Sequence, residues 1–92
     1  MYSKYSFALC LYKYNIKGVY FMYNHYYVNK LTTGNPNHNH EVHKESCDYL
    51  PSMLNREYLG YFESCRDAIA KAQEKYSNVD GCAACCPECH KE

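Results

Sequence analysis

Nine consecutive residues near the end of the chain, Cys82-Ala83-Ala84-Cys85-Cys86-Pro87-Glu88-Cys89-His90, carry four thiols and an imidazole. Upstream, His43-Lys44-Glu45-Ser46-Cys47 supplies a further His/Cys pair at a four-residue offset. Thiols at this density must be paired, bound to metal or buried. Zinc in a structural site takes four thiolates and imidazoles in a tetrahedron. Cys82 and Cys85 have the Cys-x2-Cys spacing whose two intervening residues turn both sulfurs toward one ion. Cys86 and Cys89 repeat that spacing, so the register is open on spacing alone. His43 and Cys47, with three residues between them, can meet on one side of a turn. We read the two stretches as halves of one metal site, with His43, Cys47, Cys82 and Cys85 as ligands and zinc as the ion.

The 92 residues make one domain at most, and a chain this short buries a modest core, so a staple is plausible. Basic and acidic side chains balance at ten each. Residues 1–54 are net positive by two and residues 55–92 net negative by two. Neither half has the basic field that drives non-specific nucleic-acid binding. Seven cysteines cannot all pair within one chain. The apolar run at 6–12 is short, is followed by Lys13 and lacks a small-x-small cleavage site. No stretch reaches the length of a membrane span. The expected compartment is therefore a reducing cytoplasm, where clustered thiols bind metal more often than they pair.

Residues 1–21, with Tyr2, Tyr5, Tyr12 and Tyr14 among lysines and serines, read as a tyrosine-rich N-terminal extension, with the functional domain over 22–92. Val19 to Val28 has the aromatic and β-branched composition of one strand. His25 within it reads as an ordinary strand-face histidine. Residues 32–40 are turn formers, and His38 and His40 read as loop histidines. Glu41-Val42-His43 is a short strand leading into the Cys47 turn. Leu50-Pro51 begins a turn or a short helical piece, and Glu57–Phe62 is a second strand weakened at Gly60.

Ser64 to about Ser77 is a helix. Ser64 stands at the N-cap with Asp67 at the capping-box offset. Cys65, Ala68, Ile69, Ala72 and Tyr76 make its apolar stripe. Asn78 and Gly81 terminate it, and Gly81 turns the chain into Cys82. The expected fold is α+β: a small antiparallel sheet of two to three strands, one main C-terminal helix at 64–77 and a zinc knuckle.

The ordered set resembles the Ada-type metal-binding domain over roughly residues 26–86. His43 and Cys47 are followed by Asn55-Arg56-Glu57-Tyr58. Phe62-Glu63-Ser64-Cys65-Arg66-Asp67-Ala68 and Gly81-Cys82-Ala83-Ala84-Cys85 then complete the match. The resemblance implies one zinc on His43, Cys47, Cys82 and Cys85. In that family the first residue of the upstream pair is the cysteine that accepts a methyl group from DNA phosphate. Here it is His43, so the acceptor chemistry does not carry over. Cys86, Cys89 and His90 extend beyond the pattern. They leave open a second ion shared with Cys65 or a Cys65–Cys89 disulfide. Cys65 itself reads as core, and Cys10 as a bystander.

No Gly-rich phosphate loop, Gly-x-Ser-x-Gly or His-Glu-x-x-His occurs, and the cluster offers surplus ligands rather than an open position. The expected function is a non-catalytic zinc module that contacts a protein or nucleic-acid partner. The competing readings are a disulfide-stapled binding protein and a thiol redox protein using Cys-x2-Cys. A thioredoxin-like couple opens a helix after a strand, whereas this one follows a helix.

Overall fold

The computed structural model describes residues 12–16 and 19–91, with side chains from Met22 onward. The expected tyrosine-rich extension lies outside the described residues over 1–11 and at 17 and 18. Within it, β1 (Tyr12–Ile16) and β2 (Val19–Met22) pair antiparallel as a separate two-stranded sheet. The expected continuous strand over 19–28 is therefore two strands. It breaks at Tyr23, and β3 (Asn24–Asn29) belongs to a different sheet. Composition favours extended backbone on both sides of the break, and Asn24 directly after it is the one turn former that marks it.

The larger sheet is built from β3, β4 (His40–Lys44), β5 (Arg56–Phe62) and β6 (Val79–Gly81). Its strand order is β5-β3-β4-β6. β3 pairs antiparallel with β4 and β5, whereas β4 and β6 are parallel. The sheet thus has four strands and mixed pairing, against the expected two to three antiparallel strands. β6 escapes a periodicity argument because it is three residues long and buried throughout, leaving no alternation to detect. A parallel partner for β4 also demands a crossover, and the helix supplies it.

That helix, α1 (Cys65–Ala72), is shorter than the expected 64–77. Beyond Ala72 the chain tightens: Tyr76 N–H still reaches the Ala72 carbonyl, while Lys75 N–H bonds the same carbonyl three residues back. Ser64 stands at the N-cap without a side-chain bond to the helix backbone. Its hydroxyl donates instead to Asp67 at 3.4 Å. Cys65, Ala68 and Ala72 are buried along the expected stripe. They meet Tyr26 and Val28 of β3, Val42 of β4, Leu59 of β5 and Val79 of β6 in the core. Short 3-10 turns at Met53–Asn55 and Pro87–Cys89 complete the described elements.

Two glycines are required by packing. At Gly60 the β3–β5 register slips: Tyr26 faces Gly60 and Tyr27 faces Tyr58, which leaves Leu59 as the extra residue of a bulge. Gly60 has φ +142, and a Cβ there would meet the Phe62 ring at 2.8 Å. Gly60→Ala is expected to destabilise the domain by about 1–3 kcal/mol through backbone strain. Urea unfolding checks this, and a midpoint equal to wild type would contradict it. The expected turn at Gly81 is instead the end of β6, where a Cβ would lie 2.8 Å from Cys89 Cβ and 3.0 Å from the Cys86 carbonyl oxygen. Its lack of a side chain lets the C-terminal turn sit directly on the sheet edge.

Candidate metal centre

The parallel pairing of β4 and β6 creates the site. Neighbouring parallel strands end on the same side of a sheet, so the turns leaving them start close together. β4 carries His43 and runs into the turn bearing Cys47. β6 runs into the turn bearing Cys82 and Cys85. The ladder continues one step past β6, as Cys82 N–H donates to the Val42 carbonyl at 3.0 Å. One candidate ligand atom from each of His43, Cys47, Cys82 and Cys85 lies within 4.8 Å of the other three. This group can hold a metal ion. The 34 residues between the two halves accommodate β5, α1 and β6.

The sulfur geometry suits a shared cation better than a disulfide. Cys47 and Cys82 Sγ are 3.8 Å apart. A tetrahedron with zinc–sulfur bonds of about 2.3 Å has a sulfur–sulfur edge of about 3.8 Å, whereas a disulfide closes to about 2.05 Å. Backbone donors are aimed at the sulfurs. Lys44 N–H donates to Cys85 Sγ at 3.3 Å, and Tyr49 N–H to Cys47 Sγ at 3.4 Å. The turns are closed by Cys47 N–H on the Lys44 carbonyl and Cys86 N–H on the Cys82 carbonyl. Such outer bonds hold metal ligands in orientation.

His43 is 2% exposed, and its Nδ1 is the buried side-chain polar atom, among the described residues, that lacks a hydrogen-bond partner. Leaving a buried polar atom unsatisfied costs about 1–3 kcal/mol, and such an atom calls for an explanation such as an ion. Its other nitrogen, Nε2, lies 3.8 Å from a Glu41 carboxylate oxygen, beyond hydrogen-bond distance. Burial pulls the His43 pKa down to about 4, so the imidazole is neutral and its lone pair is available. Burial likewise pushes the Cys85 thiol well above its ordinary value and Cys86 up to about 11. Without a cation these thiols stay protonated. A divalent ion reverses that preference, because coordination deprotonates a thiol outright.

The remaining sequence candidates fall elsewhere. Cys65 and Cys89 form a disulfide joining the first residue of α1 to the C-terminal turn, the alternative to a second ion that the sequence leaves open. Cys65 is also 1% exposed within the core, as its stripe position implies. His90 Nδ1 stands 3.0 Å from the Gly81 carbonyl oxygen and 3.2 Å from the buried Asp80 carboxylate. With Lys91 N–H on the same carboxylate, it clasps the C-terminal residues to β6. His40 stacks on Tyr76 at 4.0 Å between ring centroids, and His25 Nδ1 lies 2.8 Å from the Tyr58 hydroxyl. Neither joins the cluster. Cys10 lies outside the described residues.

Sequence reasoning missed the aromatic surface formed by β3 and β5. His25 packs against Tyr61 at 4.6 Å, Tyr27 against Tyr58 at 5.3 Å, and the Arg56 guanidinium lies 4.9 Å over the Tyr27 ring. Tyr58 and Tyr61 are exposed. The signal was the pairing of two aromatic strands, which only the β3–β5 register brings into line. No helix among the described residues is long and apolar enough to cross a membrane.

Among the described cysteines two are oxidised and four, Cys47, Cys82, Cys85 and Cys86, are free. Alkylation of the denatured, unreduced protein followed by peptide mass spectrometry is expected to leave only Cys65 and Cys89 unlabelled of these six. A Cys47–Cys82 disulfide would contradict the arrangement. The chain matches no family model, no curated protein and no solved structure.

Proposed function

We propose that this chain is a small non-catalytic zinc module in which His43, Cys47, Cys82 and Cys85 bind one Zn2+ and thereby hold the C-terminal turn to the end of β4. The observation that carries this reading is the convergence of three free thiols with the His43 imidazole, whose buried Nδ1 has no hydrogen-bond partner. Zinc is favoured over other ions by the donor set, since three thiolates and an imidazole suit a borderline-soft ion with tetrahedral preference. The role is structural: all four coordination positions are filled by protein, which leaves none for substrate. The resemblance to the Ada-type domain supports the same four ligands, and His43 removes the methyl-acceptor chemistry from that comparison. The aromatic surface around Tyr58, Tyr61 and Arg56 is the face we assign to a protein or nucleic-acid partner, and the compartment we assign is the cytoplasm. Elemental analysis of protein purified without added metal tests the reading. One zinc per chain is expected, and its loss in Cys82→Ala should follow; a metal-free, folded wild type would overturn it.

One observation favours a second reading. The Cys65–Cys89 disulfide staples the chain covalently. Disulfides of this kind persist in oxidising compartments. A disulfide-stapled binding protein would keep its fold after metal removal and lose it on reduction, the reverse ranking of effects.

A further inference from the structure

The bulge between β3 and β5 re-aims one side chain. On a regular strand, residues three apart point to opposite faces. With Leu59 as the extra residue, Tyr58 stands opposite Tyr27 and Tyr61 opposite His25, so both tyrosines share the face of the sheet that carries His25 and Tyr27. Leu59 turns the other way, into the core. The result is a single row of rings. Between centroids, Tyr23 to Tyr61 is 5.2 Å, Tyr61 to His25 is 4.6 Å, His25 to Tyr58 is 5.7 Å and Tyr58 to Tyr27 is 5.3 Å. The middle of the row is open: His25 is exposed, and Tyr58 and Tyr61 are 49% and 41% exposed.

The chemistry of an occupant follows from what the row already holds. At its far end the chain lays its own Arg56 guanidinium over the Tyr27 ring at 4.9 Å, and the same guanidinium donates to the Pro51 carbonyl. Ring faces carry partial negative charge and attract cations. Glu45 adds a formal negative charge. Its N–H donates to the His25 carbonyl at 2.9 Å, and its side chain is exposed. Partial burial pushes the Tyr58 hydroxyl above its usual range, and Tyr27, Glu45 and Tyr61 push the same way, so the carboxylate acts on the row. That carboxylate repels nucleic-acid phosphates, and a chain with ten basic and ten acidic side chains has no basic field to offset it. We propose that the exposed rings of His25, Tyr58 and Tyr61, together with Glu45, bind the arginine or lysine side chains of a basic segment on a partner protein. The inference rests on the assignment of this face to a partner and narrows that partner to a cationic protein; it does not depend on the metal.

The experiment titrates isotope-labelled full-length protein with the peptide acetyl-Gly-Arg-Gly-Arg-Gly-amide, with the same peptide carrying neutral citrulline in place of arginine, and with single-stranded oligothymidine. The readouts are the NMR amide shifts of His25, Tyr58 and Tyr61 and the dissociation constants drawn from them. The arginine peptide is expected to shift these residues and to bind at least about threefold more tightly than the citrulline peptide. Tyr58→Leu and Tyr61→Leu should each weaken binding about two- to fivefold, whereas Tyr61→Phe, which keeps the ring, should not. Glu45→Gln should weaken it and flatten its salt dependence. Equal affinity for the two peptides, no shift at these residues at millimolar peptide, or wild-type affinity in Tyr58→Leu/Tyr61→Leu overturns the proposal. Oligothymidine binding to the row in preference to the arginine peptide overturns it in favour of a nucleic acid. Should the leucine variants fail to fold, the citrulline comparison on wild type decides alone. Zinc is measured in every arm. One zinc per chain without peptide binding overturns this proposal and leaves the metal reading standing; peptide binding by folded, metal-free protein does the reverse.

Discussion

Removing the metal is expected to unfold the domain or to lower its melting temperature by tens of degrees. Binding a structural zinc supplies on the order of 10 kcal/mol in small modules. Whole domains are stable by only about 5–15 kcal/mol. The core available to compensate is small: its buried side chains include three alanine-sized or cysteine-sized residues from α1 and single valines from β4 and β6. β6 is three residues long and is anchored through the Cys82–Cys85 turn at its end. Once Cys82 and Cys85 are released from the β4 turn, the strand is left with its parallel ladder to β4 and the Asp80 clasp to the C-terminal residues. The loss should therefore begin at β6 and spread through the crossover. Circular dichroism melting with and without a zinc-selective chelator measures it, and re-addition of Zn2+ should restore the original curve. Superimposable curves would contradict the zinc scheme.

The second large effect belongs to the disulfide. Cys65–Cys89 closes a separation of 24 residues. The chain-entropy relation gives about 3.5 kcal/mol for a loop of that size. In a domain of this length each kcal/mol moves the melting temperature by about 4–8 °C, so Cys65→Ala/Cys89→Ala is expected to melt roughly 15–25 °C lower. The two staples would sit on different elements: a metal on His43, Cys47, Cys82 and Cys85 would join the β4 turn to the β6 turn, and the disulfide joins α1 to the last 3-10 turn. The double variant should accordingly still bind one zinc. Loss of zinc together with stability would mean that the two staples form one unit. An unchanged melting temperature would mean that close packing of Cys89 over Gly81 already holds the turn.

The same separation of elements explains what could be read from the residues alone. The candidate ligand pairs are local: His43 lies near the end of β4, directly before the turn bearing Cys47, and Cys82-x2-Cys85 lies within one turn, so their spacing is visible in the sequence. The helix was legible from its stripe of Cys65, Ala68 and Ala72, although its last turn at 73–76 tightened where the stripe alone could not show it. The convergence of the pairs depends on β6, whose Val79-Asp80-Gly81 has neither length nor alternation. The partnership of β4 and β6 is a non-local, parallel one that no window of sequence contains. Tyr23 hid the end of β2 for the same reason, because strand composition on both sides was continuous apart from Asn24. Gly81 was visible as a special position, but its cause, the approach of Cys89 and Cys86 to the strand, is tertiary. The Cys65–Cys89 pairing was one of two open options until α1 was placed against the C-terminal turn.

The most direct test of the centre is X-ray absorption at the zinc edge of the purified, full-length protein. Three sulfurs at about 2.3 Å and one nitrogen at about 2.0 Å from a single zinc are expected. A first shell made of oxygen and nitrogen alone, or no zinc edge in folded protein, would contradict the assignment of His43, Cys47, Cys82 and Cys85.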